Sequence, residues 1–326
     1  MELVTKKKLA LIAGRANAAL AEEVAWQLGV PLLDANPAEF ANGELHCRLS
    51  GSVRGTDVFI IQSHCQLDGG SVNDAIMEHL IMVDAARRAS AKRITVVMPF
   101  YGYARQDRKS EGREPITARL IADMFAAAGA QRLMSVDLHS GQIQGFFNGP
   151  VDHLTAMPVL VDYISKLGGD IVVVSPDAGR VKVAERYAIQ LHADLAIIHK
   201  RRLKGEKNLV QARDVIGDVA GRTCVLIDDM IDTAGTIVAA ADQLHAKGAA
   251  RILAATTHGV FSDPAIDRLK NSHIERIVVT NTLPLPPEKQ IDKIEVLSVA
   301  SIIADAIDAV FEDTSVSEIF GGQNQS

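Results

Sequence analysis

One segment of the chain combines acidic, hydroxyl-bearing and small residues in an order that suits a phosphorylated sugar. Residues 225–237 read Val-Leu-Ile-Asp-Asp-Met-Ile-Asp-Thr-Ala-Gly-Thr-Ile, an apolar run of strand type followed by acids and a small turn. We expect this turn to open a helix, whose unpaired N–H groups and dipole attract anions. Backbone amides and hydroxyls would hold a phosphate, and the carboxylates would face ring hydroxyls. The alternative is a plain strand–turn–helix with acidic caps, because acids are common at helix starts.

Two other segments place acids after apolar runs. Asp137 and His139 stand two residues apart, so an extended backbone would project both side chains to one face. They are candidates for a shared metal or phosphate site, or for a buried Asp–His hydrogen bond. Because Mg²⁺ prefers oxygen ligands, His139 would act through a bound water or contact a phosphate. Asp177 follows another apolar run, where it is either a helix N-cap or, like Asp228, a functional group.

Two segments are rich in cations. Residues 99–109 read Pro-Phe-Tyr-Gly-Tyr-Ala-Arg-Gln-Asp-Arg-Lys and offer forked and point charges for a triphosphate. Residues 199–207 read His-Lys-Arg-Arg-Leu-Lys-Gly-Glu-Lys, and a loop of this kind can stabilise transferring negative charge by closing over a phosphate. For both segments the alternative is a solvated charged loop. Residues 40–44 read Phe-Ala-Asn-Gly-Glu and predict a tight hairpin turn.

Apolar runs alternate with helical periodicity along most of the chain. Strands are predicted at 8–13, 57–62, 93–99, 132–137, 170–175, 194–199, 223–228, 251–256, 276–280 and 294–299. Helices are predicted at 17–28, 73–89, 115–128, 157–167, 178–190, 235–247 and 300–311. This alternation predicts an α/β fold with mainly parallel sheets flanked by helices. Because ligands of such sheets bind beyond the carboxyl ends of the strands, the segments above lie where a site is expected.

The series of elements runs twice, which predicts two domains of similar architecture. We place an N-terminal α/β domain at 1–153 and a C-terminal α/β domain at 154–326. A length of 326 residues also favours two domains. The composition is 48% hydrophobic but only 4% aromatic, so we expect aliphatic cores.

Charge and motifs argue against several classes of function. The net charge of −6 argues against a general binder of nucleic acid or membrane surfaces. No apolar run approaches the ~18 residues of a membrane span. The chain has neither Gly-x-x-x-x-Gly-Lys-Ser/Thr nor Gly-x-Gly-x-x-Gly after its first strand, so any use of ATP relies on another architecture. Its three cysteines show no metal-ligand spacing, and their low, odd count suits a reducing, cytoplasmic compartment.

Together the motifs resemble the ribose-phosphate diphosphokinase family, the synthetases of phosphoribosyl diphosphate (PRPP). The most specific matches, in the order of the family, are 104–109, 136–139, 142–147, 200–202 and 225–237. The resemblance implies two domains of the phosphoribosyltransferase type, the first with the ATP-binding loops and the second with the ribose 5-phosphate site. It implies Mg²⁺ as cofactor and transfer of a diphosphoryl group from ATP to the C1 hydroxyl of ribose 5-phosphate. It also implies hexamers built from dimers, with phosphate and ADP as regulators.

The resemblance further implies roles for individual residues. ATP binding is implied for Phe40, Asn42, Gly43, Glu44, Arg105, Gln106, Asp107 and Lys109, of which the first four would reach the adenine of a neighbouring subunit. Ribose 5-phosphate binding is implied for Arg202, Asp228, Asp229, Asp232, Thr233, Ala234, Gly235 and Thr236. Lys200 and Arg202 would be catalytic, and His139 and Asp177 would lie at Mg²⁺ sites. A regulatory anion would meet Ser52, Arg54, Ser315 and Ser317.

Two other functions fit parts of the pattern. A phosphoribosyltransferase that consumes PRPP would share residues 225–237 and one half of the fold, but it would not need the cations at 105–109 or a second half. A non-catalytic, regulatory homologue that assembles with an active synthetase would have lost catalytic residues, whereas Lys200, Arg202 and Asp228 are present. The sequence therefore favours an active synthetase that feeds nucleotide biosynthesis.

Overall fold

The computed structural model describes residues 7–66, 70–201 and 212–322, with the backbone alone at 200–201 and 212–213. In the described residues the strands are β1 Leu9–Ala13, β2 Leu32–Leu33, β3 Ala38–Glu39, β4 Leu45–His46, β5 Asp57–Ile61, β6 Arg93–Met98, β7 Arg132–Val136, β8 Val151–Leu154, β9 Ile171–Ser175, β10 Asp194–Arg201, β11 Ala212–Ile216, β12 Thr223–Ile231, β13 Arg251–Gly259, β14 Arg276–Thr280 and β15 Ile294–Leu297. The helices are α1 Ala18–Leu28, α2 Val72–Arg88, α3 Thr117–Ala128, α4 Met157–Ser165, α5 Val181–Leu191, α6 Gly235–Ala246, α7 Ala265–Lys270, α8 Ala300–Phe311 and α9 Val316–Ile319. Short 3₁₀ turns lie at Arg15–Asn17, Gly141–Gly145, Ala178–Arg180 and Pro287–Lys289.

Two compact units divide these elements. Unit 1 contains the residues up to Thr155, the segment Thr282–Pro284 and the residues from Ser298 onward. Unit 2 contains Ala156–Asn281 and Leu285–Leu297. Each unit is built around a sheet of its own.

Unit 1 has a parallel sheet in the order β2-β1-β5-β6-β7-β8. Strands β5 and β6 are buried almost throughout, because most of their side chains are apolar on both faces and helices cover such sheets. Helix α2 begins with a capping box in which Ser71 and Asp74 satisfy each other's backbone amides. The antiparallel pair β3–β4 confirms the hairpin predicted at Asn42-Gly43, where Gly43 has a φ of 87° that suits glycine.

Unit 2 has a sheet in the order β11-β10-β9-β12-β13-β14-β15. All neighbours are parallel except β10 and β11, which pair antiparallel at the sheet edge. The aliphatic side chains of β9 and β12 are buried in the middle of the sheet. The structure thus confirms the predicted α/β class of mainly parallel sheets. None of the described helices is long and apolar enough to cross a membrane.

The C-terminal segment departs from the predicted division into 1–153 and 154–326. The predicted boundary lies within two residues of the change from unit 1 to unit 2, but the residues from Ser298 onward belong to unit 1. Helix α8 packs against α1, since its apolar face needs a partner. Asp313 then accepts hydrogen bonds from Lys7 Nζ and Arg93 Nη1, each at 2.6 Å. Both contacts join residues far apart in sequence, which local patterns do not reveal.

Candidate active site

The β12–α6 connection carries the acids and hydroxyls of the predicted sugar-phosphate site. Strand β12 pairs with β13 as far as Ile231, so Asp228 and Asp229 lie within the strand. This corrects the strand end predicted at 228, because Met230 and Ile231 continue the parallel ladder. The turn at 232–234 then leads directly into α6, as the sequence predicts.

Ala234 is the N-cap of α6 and has a left-handed backbone with a φ of 60°. Its methyl group offers no acceptor to the first amides of the helix, which carry the positive end of the helix dipole. A left-handed alanine costs about 1 kcal/mol, and such strained residues cluster at ligand sites. The turn therefore has the properties of an anion site at a helix start.

Arg268 holds this turn from α7. Its Nη1 donates a hydrogen bond to the carbonyl oxygen of Thr233 at 2.8 Å. A Cβ atom on Gly235 would lie 3.3 Å from the same nitrogen, which is a tight contact. Gly235 therefore leaves room for the guanidinium group, and Arg268 adds a positive charge beside the turn. The sequence patterns did not predict α7 and gave no signal for Arg268.

Asp228, which is half-buried, and Asp229, which is buried, form an acid pair that contacts Arg180. Arg180 Nη2 lies 2.6 Å from Asp229 Oδ1, and its Nε lies 3.2 Å from Asp228 Oδ1. The backbone amide of Asp229 also donates to Asp228 Oδ1 at 2.8 Å. Burial, with the neighbouring charge and hydrogen bond of Asp229, raises the pKa of Asp228 well above its ordinary value, while Arg180 opposes the rise. Arg180 thus contacts two neighbouring carboxylates, which are groups that can accept hydrogen bonds from hydroxyl groups or bind a cation.

Asp177 caps the 3₁₀ turn at Ala178–Arg180. Its Oδ1 accepts the amide of Gly179 at 2.8 Å, and Ser175 Oγ donates to its carbonyl oxygen at 2.7 Å. The structure therefore shows the capping role that the sequence offered as one alternative. The same turn presents Arg180 to the acid pair, so Asp177 also helps to position that arginine.

The loop after β6 is ordered by its own hydrogen bonds. The Gln106 side chain accepts from Thr117 Oγ1 at 2.6 Å, and the amide of Gln106 donates to the Tyr103 carbonyl at 2.9 Å. Asp107 is buried and accepts from Gln142 Nε2 at 2.6 Å. Arg105 and Lys109 are exposed. The structure thus places Gln106 and Asp107 in the support of the loop and the two cations at its surface.

Asp137 and His139 do not share the extended backbone that the sequence suggested. Strand β7 ends at Val136, and Asp137 has a φ of 38°, so the alternation of side chains stops there. Both side chains are half-buried. The turn is held by His153, whose Nε2 accepts the Leu138 amide at 3.0 Å. His153 is a supporting residue that sequence reasoning missed.

The remaining predicted residues lie at the hairpin and in the basic segment. Phe40 is 55% exposed at the β3–β4 hairpin, where Glu44 N donates to Asn42 Oδ1 at 3.2 Å. Lys200 lies in β10, with its backbone paired to Arg213 of β11. Arg202 lies outside the described residues. Among the described residues, no group of three or more His, Cys, Asp and Glu side chains is arranged to hold a metal ion.

Comparison with known proteins places this geometry in a family. The sequence model of the N-terminal domain of ribose phosphate pyrophosphokinase matches residues 9–129, and that of the phosphoribosyl synthetase-associated domain matches residues 211–321. Ribose-phosphate pyrophosphokinases of Streptomyces avermitilis and Streptomyces coelicolor are each 56% identical to this chain over 320 residues, covering 98% of both chains. The chain belongs to the ribose-phosphate pyrophosphokinase family. Pyrophosphokinase and diphosphokinase are two names for one activity, so the predicted family is confirmed.

A solved structure agrees with this membership. The crystal structure of phosphoribosylpyrophosphate synthetase from Mycobacterium smegmatis resembles this chain with a TM-score of 0.88 and 50% sequence identity. The match covers 94% of this chain and 100% of that one. The pyrophosphokinase family and the α/β fold are therefore supported over nearly the full length.

Within unit 2 of this pyrophosphokinase, the structure brings together the acid pair, Arg180 and the turn at Asp177. The sequence patterns assigned no role to Arg180, because its pairing with Asp228 depends on two strands that are distant along the chain. Its position directly after a strand was the one available signal.

Proposed function

We propose that the chain transfers the diphosphoryl group of ATP to the C1 hydroxyl of ribose 5-phosphate, releasing AMP and PRPP. The C1 oxygen attacks the β-phosphorus, the bond from that phosphorus to the oxygen of the leaving AMP breaks, and the hydroxyl proton is lost. The observation that carries the proposal is the β12–α6 connection, where an acid pair precedes a helix start with a left-handed Ala234 N-cap, in a member of the pyrophosphokinase family.

The 5-phosphate would bind the turn from Asp232 to Thr236. Amides at the start of α6 and the hydroxyls of Thr233 and Thr236 supply donors for phosphate oxygens. Support comes from the left-handed Ala234 and from Arg268, which fixes the turn at the Thr233 carbonyl. A rigid phosphate grip would orient the distant C1 hydroxyl, and orientation is a large part of what this reaction needs.

Asp228 and Asp229 would accept hydrogen bonds from the ribose hydroxyls. Carboxylates removed from water need hydrogen-bond donors, and ribose hydroxyls would supply such donors beside Arg180. Arg180 would keep both carboxylates in place while the sugar is absent. The acids thus act as binding groups for the ring, and Asp228 is also a candidate acceptor for the C1 proton.

The cations would act on ATP. Transfer of this kind proceeds chiefly by positioning and neutralising charge on phosphate oxygens. We propose that Arg105 and Lys109 bind the nucleotide from the surface of their loop, supported by Gln106 and Asp107. Lys200 and Arg202 would stabilise the transferring group. Phe40, Asn42, Gly43 and Glu44 would contact the adenine of a neighbouring subunit, which is in keeping with the exposed Phe40 ring.

Mg²⁺ fits the donor chemistry of the proposed residues. The ion prefers hard oxygen ligands, keeps several waters and is commonly held by one or two carboxylates plus substrate phosphates. Asp177 offers such a carboxylate, and His139 would act through a water or a phosphate. Bound Mg²⁺ would neutralise charge on the polyphosphate.

The assembly, regulation and location are also proposals. We propose homo-oligomers, hexamers built from dimers, with phosphate as activator and ADP as inhibitor near Ser52, Arg54, Ser315 and Ser317. A cytoplasmic location is supported by the low and odd cysteine count. Light scattering with and without phosphate tests the assembly.

The reaction products test the proposed function. The purified chain with ATP, Mg²⁺ and ribose 5-phosphate should give AMP and PRPP, which ³¹P NMR resolves. ADP as the product would indicate ordinary phosphoryl transfer and would contradict the proposal. A folded chain that forms no AMP alone but raises the activity of another synthetase would be the regulatory homologue. Release of diphosphate from added PRPP and a nucleobase would indicate a phosphoribosyltransferase.

A further inference from the structure

Two fully buried histidines lie beside the loop that carries Arg105–Lys109. His64 follows β5 and His79 lies on α2, and both are 0% exposed. Phe125 of α3 packs on both rings, stacked on His64 at 5.6 Å and edge-on to His79 at 5.0 Å. Neither histidine takes part in the proposed reaction. Buried imidazoles in an otherwise aliphatic core are costly unless their nitrogens are hydrogen-bonded.

The two rings form a continuous chain of hydrogen bonds between backbone groups. The Gly102 amide donates to His64 Nδ1 at 3.1 Å, His64 Nε2 lies 3.2 Å from His79 Nδ1, and His79 Nε2 lies 3.1 Å from the Ile60 carbonyl oxygen. An amide can only donate and a carbonyl can only accept, so the two ends fix every proton in between. Both rings must be neutral and carry their proton on Nε2.

Burial keeps the rings in this state. It lowers the pKa of His64 well below the ordinary value, with a further decrease from His79, and it lowers the pKa of His79 to about 3. Other ionisable groups nearby are engaged elsewhere: Glu78 pairs with Arg15, and the Tyr101 hydroxyl donates to a backbone carbonyl. Protonation of either ring would set two donors against each other. The chain of bonds is therefore intact at neutral pH.

His64 contacts the backbone at Gly102, just before the loop that carries Arg105–Lys109. The backbone amides of Gln62 and His64 donate to the carbonyls of Val97 and Phe100, at 3.0 and 3.1 Å, so the two segments run side by side. A Cβ atom on Gly102 would lie 2.7 Å from His64 Cβ, so glycine alone fits there. The imidazole thus contacts Gly102 through both packing and a hydrogen bond.

We propose that His64 and His79 are positioning residues for ATP, because they fix Gly102 and with it the start of the loop from Arg105 to Lys109. The inference rests on the proposed role of that loop in binding ATP. Gly102 precedes Tyr103, whose left-handed backbone and carbonyl hold the Gln106 amide, so a displaced Gly102 displaces the cations. This role explains why the core contains histidines. The His64 ring accepts a hydrogen bond from the Gly102 amide and also reaches the His79 ring.

Steady-state kinetics of two substitutions test the proposal. His64→Gln reaches towards His79 but offers no acceptor at the Nδ1 position, so the buried Gly102 amide is left without a partner. We expect the KM for ATP to rise about tenfold, while kcat and the KM for ribose 5-phosphate stay unchanged. His64→Asn returns an acceptor at the Nδ1 position and should recover most of the affinity for ATP. Phe125→Leu is the matched control, since it loosens the packing without removing a hydrogen bond and should leave the KM for ATP unchanged.

An unchanged KM for ATP in His64→Gln, with a loss of melting temperature like that of Phe125→Leu, would overturn the proposal. If His64→Gln does not fold, ¹⁵N NMR of histidine-labelled wild type tests the chain of hydrogen bonds instead. We expect His64 and His79 to carry their protons on Nε2 and not to titrate from about pH 7.5 to about pH 5.5. A proton on Nδ1 of either ring, or titration of either ring in this range, would refute the chain of hydrogen bonds. Wild type that forms no PRPP would contradict the proposed function alone. ATP affinity measured by calorimetry on the same variants would then test whether His64 and His79 position the ATP-binding loop.

Discussion

Replacing Asp228 by asparagine should make the chain more stable and less active. The acid is half-buried beside the buried Asp229, and Arg180 contacts both carboxylates. Asparagine keeps the shape and an acceptor oxygen for Arg180 but carries no charge. We therefore expect the substitution to remove an electrostatic cost of folding and, with it, the group that the ribose hydroxyls would bind.

The structure gives the size and the pH range of this effect. The pKa of Asp228 is raised from 3.8 to about 8, and each unit corresponds to about 1.4 kcal/mol, so about 5 kcal/mol is the upper limit of the gain. Because Asp229 shares the effect, we expect about 1–3 kcal/mol, or roughly 1.5–4.5 °C in the melting temperature of a chain of 326 residues. A raised pKa means that the folded state holds the proton more tightly, so the contribution of Asp228 to the stability of wild type falls as pH rises between about 4 and 8. The gain should be small near pH 4 and level off above pH 8.

Thermal unfolding at several pH values measures the gain in stability, and the PRPP assay measures the loss of activity. Asp242→Asn, an exposed acid on α6, is the control and should stay within about 0.5 kcal/mol of wild type. For Asp228→Asn, kcat/KM for ribose 5-phosphate should fall about 10- to 100-fold, as expected when a charged acceptor is lost. A variant that is less stable than wild type at pH 8, or a gain that does not grow with pH, would refute the reasoning.

Three more predictions follow from the described contacts. Arg268→Ala should raise the KM for ribose 5-phosphate about fivefold and leave the KM for ATP unchanged, since it removes one hydrogen bond worth about 1 kcal/mol from the phosphate turn; equal changes in both constants would contradict it. Lys200→Ala should abolish turnover while calorimetry still detects ribose 5-phosphate binding, and unchanged turnover would remove Lys200 from the mechanism. The contribution of His64 and His79 to stability should be full above about pH 6.5 and fall by roughly 1.4 kcal/mol per pH unit for each of them as pH decreases, opposite to the contribution of Asp228, because both pKa values are lowered in the folded state. Urea unfolding at pH 7 and pH 5 measures this change in the free energy of unfolding. Substitution of the exposed His273, as His273→Gln, is the control and should lose as much stability between the two pH values as wild type.

Local patterns in the sequence predicted the elements well where the pattern spans the whole element. Helix α6 begins at Gly235 as predicted, because the turn residues before it and the apolar periodicity after it agree. Strand β12 runs beyond its predicted end, since its last residues are held by pairing with β13 and not by their own composition. Two-residue strands such as β2 and the six-residue helix α7 are too short to give a periodic signal.

The candidate site was predicted in its acids and its phosphate turn, but not in the side chains that hold them. Arg180, Arg268 and His153 each contact a residue that is near only after folding, so spacing along the chain could not assign them. The left-handed Asp137 likewise depends on tertiary contacts of its turn. Sequence reasoning thus found the groups that we propose to meet substrates and missed the groups that hold them in place.

The return of α8 to unit 1 has a consequence for synthesis on the ribosome. Unit 1 contains the first residues to be made and also the last, whereas every residue of unit 2 has been made before Ser298 is added. Unit 2 can therefore complete its sheet before α8, the helix that packs against α1, has been synthesised. Unit 1 is thus the first unit to be started and the last to be completed. Until α8 leaves the ribosome, the apolar face of α1 that α8 covers is exposed to chaperones and proteases in the nascent chain.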